Sequence, residues 1–223
     1  MADSPSAQAP LAILTGGQGD LAQATRGQLQ AQGWKVEAPG REELDVLSSE
    51  STQRYFEPRP AVDLLICFAG VAENRLLARQ NPAAWQHVID TNLRGAMWAA
   101  RAVSRGMARR RNGTILFIGS QAALDGPIGQ SAYAAAKAGL HGLAKSLAAE
   151  LGPRNVRVNV VHPGWLETKM TAALPQPVKE AAQRAHALGR FTPVSEAARF
   201  LAALPSFATI SGQIFHLDSR LHR

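Results

Sequence analysis

A serine, a tyrosine and a lysine are spaced in this sequence so that they could act on one substrate. Ser120 precedes Tyr133 by thirteen residues, and Lys137 follows four residues later in an alanine-rich run that predicts a helix. Side chains four residues apart share a helix face, so the phenol and the ammonium group are expected side by side. A phenol titrates near pH ~10, and a neighbouring cation favours the phenolate and lowers that pKa. The spacing predicts a tyrosine that exchanges protons and a serine hydroxyl that donates to a substrate carbonyl.

Asn92, in the run Asp90–Gly95, completes this set. Each of the four residues alone has an ordinary explanation, such as a solvated side chain, a strand-end cap or a polar helix position. Their joint spacing and the order of strands and helices favour the catalytic interpretation. Ser120 also ends a predicted strand, and open α/β sheets bind ligands at the carboxyl ends of their strands.

A glycine-rich turn follows the first apolar run and opens a helix. Glycines allow a tight turn and the close approach of a pyrophosphate, while the helix N-terminus supplies N–H donors. A plain β–α turn would have a similar sequence, so this motif is weaker than the serine–tyrosine–lysine set. The cofactor contacts predicted here are Thr15, Gly16, Gly17, Gln18, Gly19, Asp20 and Leu21.

Apolar β-type runs alternate with helical patterns along the chain. The predicted strands are Leu11–Thr15, Lys35–Ala38, Ala61–Phe68, Thr114–Gly119, Val156–Val161 and Gln213–Leu217. The predicted helices are Leu21–Gln32, Ser48–Arg59, Pro82–Arg111, Ser131–Gly152 and Ser195–Leu204. This alternation predicts an α/β fold with a doubly wound parallel sheet of about six strands and helices on both faces. Only Gly40–Leu44 separates the second strand from Asp45-Val46, so we expect an abbreviated region there, with a strand and helix missing or vestigial.

The composition is that of an ordinary globular domain, with 223 residues, 46% hydrophobic and 18% charged. We expect a flexible N-terminus over residues 1–10 and a single domain over 11–223. The single cysteine, Cys67, excludes an internal disulfide. No signal-peptide pattern and no apolar run of roughly 18–20 residues is present, so a cytoplasmic protein without a membrane partner is expected. No metal site is predicted.

The net charge is +7, and the one dense basic cluster is at residues 101–111. Such a charge suits nucleic acid, a membrane surface, an acidic protein or a phosphorylated substrate. Aromatic residues are scarce and are not interleaved with the arginines, so nucleic-acid binding is not predicted.

These motifs resemble those of the short-chain dehydrogenases/reductases from Leu11 to Asp218. The resemblance implies a single-domain Rossmann-type fold, a nicotinamide dinucleotide cofactor, and ketone reduction with Tyr133 as proton donor and Asn92 holding a water. The family's catalytic residues fall on Asn92, Ser120, Tyr133 and Lys137. The further cofactor contacts that it implies are Asp45, Val46, Ala69, Gly70, Tyr133, Lys137, Pro163, Gly164 and Thr168.

Within the family, the runs Tyr133–Leu140, Lys145–Ala148 and Glu167–Thr171 are similar to 3-oxoacyl-[acyl-carrier-protein] reductases. This likeness implies a 3-oxoacyl thioester on an acyl carrier protein or coenzyme A, and a homodimer or homotetramer. It also implies that Arg111 and Arg154 dock an acidic carrier near the active-site mouth, although arginines here could simply close a helix.

Trp165 and Leu166–Leu188 would form a mobile lid over that substrate. Another small ketone or alcohol remains an alternative substrate.

Three departures from the family pattern affect the adenosine end of the cofactor site. Asp20 replaces a glycine, Cys67-Phe68 replaces two asparagines, and the Gly40–Leu44 connection is short. They keep open a non-catalytic binding or assembly protein. Arg41, after the second strand, would pair a 2′-phosphate, so NADP(H) is favoured over NAD(H). Acidic residues nearby leave NAD open, namely Glu37, Glu42 and Glu43.

Overall fold

The computed structural model describes residues 9–59, 61–168, 171 and 175–220. Its strands are β1 Leu11–Thr15, β2 Lys35–Glu37, β3 Val62–Cys67, β4 Gly113–Ile118, β5 Val156–His162 and β6 Ile214–His216. They form one parallel sheet in the order β2-β1-β3-β4-β5-β6. The helices are α1 Asp20–Ala31, α2 Ser49–Phe56, α3 Pro82–Ile89, α4 Gly95–Arg110, α5 Ala122–Asp125, α6 Ser131–Leu151, α7 Gln176–Arg184 and α8 Val194–Ala203.

Helices cover both faces of the sheet, as the alternating pattern predicts. On one face, Val103 and Met107 of α4 and Leu140 of α6 pack against the strands. On the other face, Leu29 of α1 and Leu201 of α8 form a second core. Successive residues of a strand point to opposite faces, so β3 needs apolar side chains in both cores. The predicted doubly wound α/β fold is confirmed.

The sheet ends at β2, which confirms the abbreviated region after the second strand. Residues 38–48 form turns and extended chain without a helix or strand, and α2 begins directly afterwards. Side chains of α2 and the following turn hold β2 in place. Tyr55 Oη donates to Glu37 Oε2 at 2.9 Å, and Arg59 Nε donates to the same oxygen at 2.6 Å.

The helix predicted over Pro82–Arg111 is interrupted, contrary to expectation. A π-helical turn, Asp90–Arg94, separates α3 from α4 and carries Asn92. Asn92 Nδ2 donates to the Val88 carbonyl one turn earlier, at 2.8 Å. Such π-turns are single-turn insertions that periodicity does not reveal. The short helix α5 and the helix α7, inside the predicted lid, also had no sequence prediction of their own.

Within the described part of the chain, no helix combines the length and apolar character needed to cross a bilayer. The same residues contain no group of three or more His, Cys, Asp or Glu side chains that could hold a metal ion. Of the predicted flexible N-terminus, residues 1–8 lie outside the described residues.

The β2–α2 contact gives a stability prediction. Burial raises the pKa of Glu37, but hydrogen bonds from Arg59 and Tyr55 outweigh burial and hold the pKa below its ordinary 4.5. Glu37→Gln should therefore lower the free energy of unfolding by about 1 kcal/mol at pH 7. The ionised Glu37 carboxylate stabilises the folded chain, and this stabilisation is lost as pH falls below 4.5 and the carboxyl becomes protonated. The difference in free energy of unfolding between Glu37→Gln and the wild type should therefore shrink in that range.

Urea unfolding of Glu37→Gln beside Glu42→Gln, an exposed residue of the neighbouring turn, measures this effect. Equal midpoints for the two variants at pH 7 would contradict it.

Candidate active site

The predicted catalytic residues meet at the carboxyl edge of the central strands. Ser120 follows β4, and Gly70 follows β3 on the neighbouring strand. Tyr133 and Lys137 lie on the first two turns of α6, which packs along β5. The parallel arrangement therefore gathers residues that are distant in sequence at one edge of the sheet.

Lys137 is a buried member of this group, with 4% of its surface exposed. Its Nζ donates to the Ile118 carbonyl at 2.7 Å and lies 5.6 Å from the centre of the Tyr133 ring. The Ser120 side chain lies close enough to the Tyr133 phenol to lower the pKa of that phenol. The structure thus places the serine, the tyrosine and the lysine in one cluster.

Asn92 completes the cluster from the π-turn. Its Nδ2 donates to the carbonyls of Val71 and Val88, at 2.7 and 2.8 Å. Its Oδ1 is buried and has no hydrogen-bond partner among the residues that the structure describes. A Cβ at Gly70 would lie 2.7 Å from this oxygen and 3.7 Å from Lys137 Nζ. Glycine at this position therefore leaves a small polar recess between Asn92 and the lysine.

The electrostatics of the cluster differ from the sequence expectation. Burial raises the pKa of the Tyr133 phenol above its ordinary value, and the neighbouring Ser120 side chain only partly offsets this. Burial also lowers the pKa of Lys137 from 10.5 to about 8. The expectation that the tyrosine pKa would be lowered is wrong for this structure, because burial of the phenol is the largest influence on that pKa.

The glycine-rich turn has the backbone shape of a phosphate cradle. Gly16 has φ +66°, and a Cβ there would lie 2.6 Å from Ala69 Cα. A Cβ at Gly17 would lie 2.3 Å from the Ala38 carbonyl oxygen. At Gly19 the nearest atom would be 3.7 Å away, so the turn is open on that side, where α1 begins. The turn therefore leaves room for close approach at the start of α1, and the cofactor contacts at Thr15–Leu21 stay a prediction.

Asp20 is the one poor fit in this cradle, since its carboxylate sits in the first turn of α1. It lines a cavity of about 370 Å³ together with Trp165 and Thr168. Trp165 stacks on Phe191, with ring centres 5.5 Å apart. The predicted Trp165 and Thr168 thus lie beside the start of α1. Part of the predicted lid, residues 169–170 and 172–174, lies outside the described residues.

The turn after β2 packs directly on the glycine-rich turn. Gly17 N donates to the Pro39 carbonyl at 3.1 Å, and Arg41 follows two residues later on the exposed surface. Two of the acids that kept NAD open are already engaged. Glu37 binds Tyr55 and Arg59, and Glu43 Oε2 accepts a hydrogen bond from Gly40 N at 3.0 Å.

Asp45 and Val46 form the next part of this wall. The Asp45 carboxylate accepts a hydrogen bond from Leu47 N at 3.0 Å, closing a local turn. Val46 is 7% exposed, and a Cβ at Gly95 would lie 2.9 Å from it. Val46 is therefore fixed against the start of α4.

The Pro163-Gly164 segment follows β5 at the same edge as Ser120. Gly164 has φ +79°, and a Cβ there would lie 2.7 Å from Asp218 Cβ. Asp218 in turn accepts hydrogen bonds from Arg220 N and Nε, at 3.1 and 2.8 Å. Sequence reasoning did not identify this support for the loop, since Arg220 lies beyond the recognised motifs.

Arg111 and Arg154 lie together but away from the catalytic cluster. Arg111 Nη2 donates to the Pro153 carbonyl at 3.2 Å. Both arginines precede the strands β4 and β5, whereas Ser120 follows β4. The strand between them spans roughly 20 Å. The expected position near the active-site mouth is therefore wrong within one chain, because the two ends of a parallel strand face opposite edges.

A pair of histidines lies directly behind the cluster and was also missed. His141 Nε2 and His162 Nε2 are 2.8 Å apart. A Cβ at Gly119, next to Ser120, would lie 2.3 Å from the His162 ring. The sequence signal was available, because His141 follows Lys137 by four residues on α6.

The buried lysine predicts a variant that is more stable than the wild type. Lowering the pKa of Lys137 from 10.5 to about 8 corresponds to a cost on the order of 3 kcal/mol for keeping it charged. Lys137→Met should therefore raise the urea midpoint at pH 7. Between pH 8 and 10.5, Lys137 is protonated in the unfolded chain but neutral in the folded one, so the wild type becomes more stable as pH rises through that window. The difference in urea midpoint between Lys137→Met and the wild type should therefore narrow there. Lys145→Met, at an exposed position of α6, is the control, and a lower midpoint for Lys137→Met would refute the prediction.

Comparison with known proteins agrees with this geometry. The family model for short chain dehydrogenase matches residues 12–179. The 3-oxoacyl-[acyl-carrier-protein] reductase FabG of Aquifex aeolicus is 36% identical over 212 residues, covering 92% of this chain and 85% of that protein. The Escherichia coli protein of the same name is 39% identical over 163 residues, covering 72% of this chain and 67% of its own.

A solved structure described as the crystal structure of gox2181 superposes with a TM-score of 0.87 and 29% identity, covering 96% of this chain and 95% of that one. The predicted resemblance and the predicted enzyme class are confirmed. The chain belongs to the short-chain dehydrogenase family of oxidoreductases.

Proposed function

We propose that this oxidoreductase uses NADP(H) to reduce a ketone to a secondary alcohol, with a 3-oxoacyl thioester on an acyl carrier protein or coenzyme A as substrate. The observation that carries the proposal is the position of Lys137, which is buried against the Ile118 carbonyl and lies 5.6 Å from the centre of the Tyr133 ring, with Ser120 beside the phenol. The names of the relatives, 3-oxoacyl-[acyl-carrier-protein] reductases, support the substrate class.

The side chains of the cluster have distinct roles in this reaction. When bound, the nicotinamide supplies the hydride. The Ser120 hydroxyl donates a hydrogen bond to the ketone oxygen and stabilises the charge that develops there. Tyr133 gives its phenolic proton to the same oxygen. Its raised pKa keeps the phenol protonated at neutral pH, which suits a proton donor in the direction of reduction.

Lys137 stabilises the phenolate that remains on Tyr133 after proton transfer. An ammonium group in a buried site attracts an anion more strongly than in water, because the local dielectric constant is lower. The buried Asn92 Oδ1 is suited to hold a water that returns a proton to the site. The recess at Gly70 supports this role, since no side chain separates Asn92 from the lysine.

The residues that would hold the dinucleotide are the glycine-rich turn, Ala69-Gly70 and the Pro163–Thr168 segment. Asp45 and Val46 would contact the adenine. Arg41 would pair the 2′-phosphate of NADP, and the engagement of Glu37 and Glu43 in other hydrogen bonds supports NADP over NAD.

Docking of an acidic carrier on Arg111 and Arg154 remains part of the proposal. Because these arginines lie at the opposite edge of the sheet, they could serve the active site only of another copy in a homodimer or homotetramer. The alanine- and glycine-rich sequence of α6 suits close helix packing between such copies. We place this single-domain enzyme in the cytoplasm, with no nucleic-acid or membrane partner.

A second candidate is a non-catalytic binding or assembly protein, and Asp20 is the observation that favours it. A carboxylate in the first turn of α1 repels a pyrophosphate. Fluorescence titration with NADPH and NADH separates the two, since binding of neither at millimolar concentration would support the second candidate.

Tyr133→Phe tests the proton donor. Without the phenolic hydroxyl, turnover with a panel of 3-oxoacyl thioesters and cyclic ketones should fall at least about a hundredfold. The fold should remain intact, as circular dichroism and NADPH affinity would show. Turnover by this variant at the wild-type rate would rule out the mechanism. Activity of the wild-type protein on cyclic ketones alone would rule out the thioester substrate.

Arg41→Ala tests the cofactor preference. Loss of a charge-assisted pair should weaken NADPH binding about tenfold or more and leave NADH binding nearly unchanged. Arg54→Ala, at an exposed position of α2, is the matched control. Equal losses for NADPH and NADH would show that Arg41 does not read the phosphate.

A further inference from the structure

Two imidazole rings join α6 to the end of β5. The Nε2 atoms of His141 and His162 lie 2.8 Å apart, and the ring centres are 4.9 Å apart. At this distance one ring donates an N–H and the other accepts, so the pair shares a proton between two neutral imidazoles. His162 is 1% exposed, whereas His141 is partly exposed at the surface of α6.

The pair touches the strand end that supports the catalytic cluster. The His162 ring occupies the space that a side chain at Gly119 would need, 2.3 Å from its Cβ position. Ile118 and Ser120 flank this glycine, and Ile118 provides the carbonyl that accepts from Lys137 Nζ at 2.7 Å. The histidine pair and the lysine therefore act on the same three residues of the chain.

His141 also shares a helix face with the catalytic residues. Tyr133, Lys137 and His141 follow each other at intervals of four along α6, so their side chains lie one above another. A hydrogen bond to His162 one turn beyond Lys137 fixes how far α6 stands from the sheet at that point. The reach of Lys137 to the Ile118 carbonyl depends on that separation.

We propose that His141 is a positioning residue, whose hydrogen bond to His162 holds α6 where Lys137 reaches the Ile118 carbonyl and Tyr133 faces Ser120. The inference rests on the proposed function for the roles of Ser120, Tyr133 and Lys137. His141 acts through its hydrogen bond to His162 and not on the substrate.

The charges around the pair give the contact a pH dependence. The charged and titratable groups that act on it are Lys145 on α6 and His216 on β6, whose ring lies 4.6 Å from that of His162. Burial, His216 and Lys145 all lower the pKa of His141. One extra proton can be shared across the hydrogen bond, but a second one places two cations 2.8 Å apart, with Lys145 as a further positive charge. Acid should therefore separate α6 from β5 at this point.

The first test follows the position of Lys137 without using activity. The pKa of Lys137, measured by NMR of its ε-carbon, should be about 8 in the wild type because the lysine is buried. His141→Leu should raise it towards 10.5 as water reaches the ammonium group. His141→Gln keeps a hydrogen-bonding side chain and should leave it near the wild-type value. An unchanged value in His141→Leu would overturn the proposal, whether or not the reductase activity is found.

The second test uses the pH profile of kcat. His141→Leu should lower kcat roughly tenfold at neutral pH with little change in KM for NADPH, because the cofactor turn is untouched. His141→Gln should keep most of the wild-type kcat. The wild type should lose activity in acid as the histidine pair becomes doubly protonated, and His141→Gln should not show this loss. The exposed His87→Leu should match the wild type throughout.

If His141→Leu fails to fold, His141→Gln decides the question by itself. A kcat profile in acid identical to that of the wild type would show that the pair does not titrate as proposed.

Discussion

Lys137 brings a charged group into the interior, and the arrangement around it follows from that constraint. A buried ammonium group destabilises the fold unless fixed acceptors replace its lost water. The acceptor here is a main-chain carbonyl, that of Ile118, 2.7 Å away at the end of β4. This strand is central in the sheet, paired with β3 on one side and β5 on the other. The sheet thus holds the acceptor rigidly, and α6 must bring the lysine to it.

Two glycines make room for polar side chains around the strand ends near this lysine. A Cβ at Gly70 would lie 2.7 Å from Asn92 Oδ1, and one at Gly119 would lie 2.3 Å from the His162 ring. Side chains at either position would push the π-turn or the histidine pair outward. The positions of Asn92, His162 and Lys137 therefore depend on each other, and a change at Gly70 or Gly119 alters how far Lys137 reaches.

The sequence predicted most of the elements and the proximity of Ser120, Tyr133 and Lys137, because both depend on local periodicity and on strand order. It did not predict the π-turn at Asn92, since one inserted residue leaves the apolar pattern almost intact. Nor did it place Arg111 and Arg154, whose spacing from Ser120 and Tyr133 says nothing about the edge of the sheet on which they lie. The raised pKa of Tyr133 was missed because desolvation depends on the packing of the whole site.

The adenosine half of the site is built differently from the catalytic half. Since the sheet of the described residues ends at β2, no outer strand in this part of the chain supports the turn that carries Arg41. Two sets of hydrogen bonds support this turn instead. Gly17 N donates to the Pro39 carbonyl, and Tyr55 and Arg59 donate to Glu37 at the end of β2. These contacts leave the Arg41 side chain exposed at the surface, where it can reach a phosphate. A shorter wall is therefore compatible with a dinucleotide, provided that backbone N–H groups and one arginine replace the contacts that the missing strand would have made.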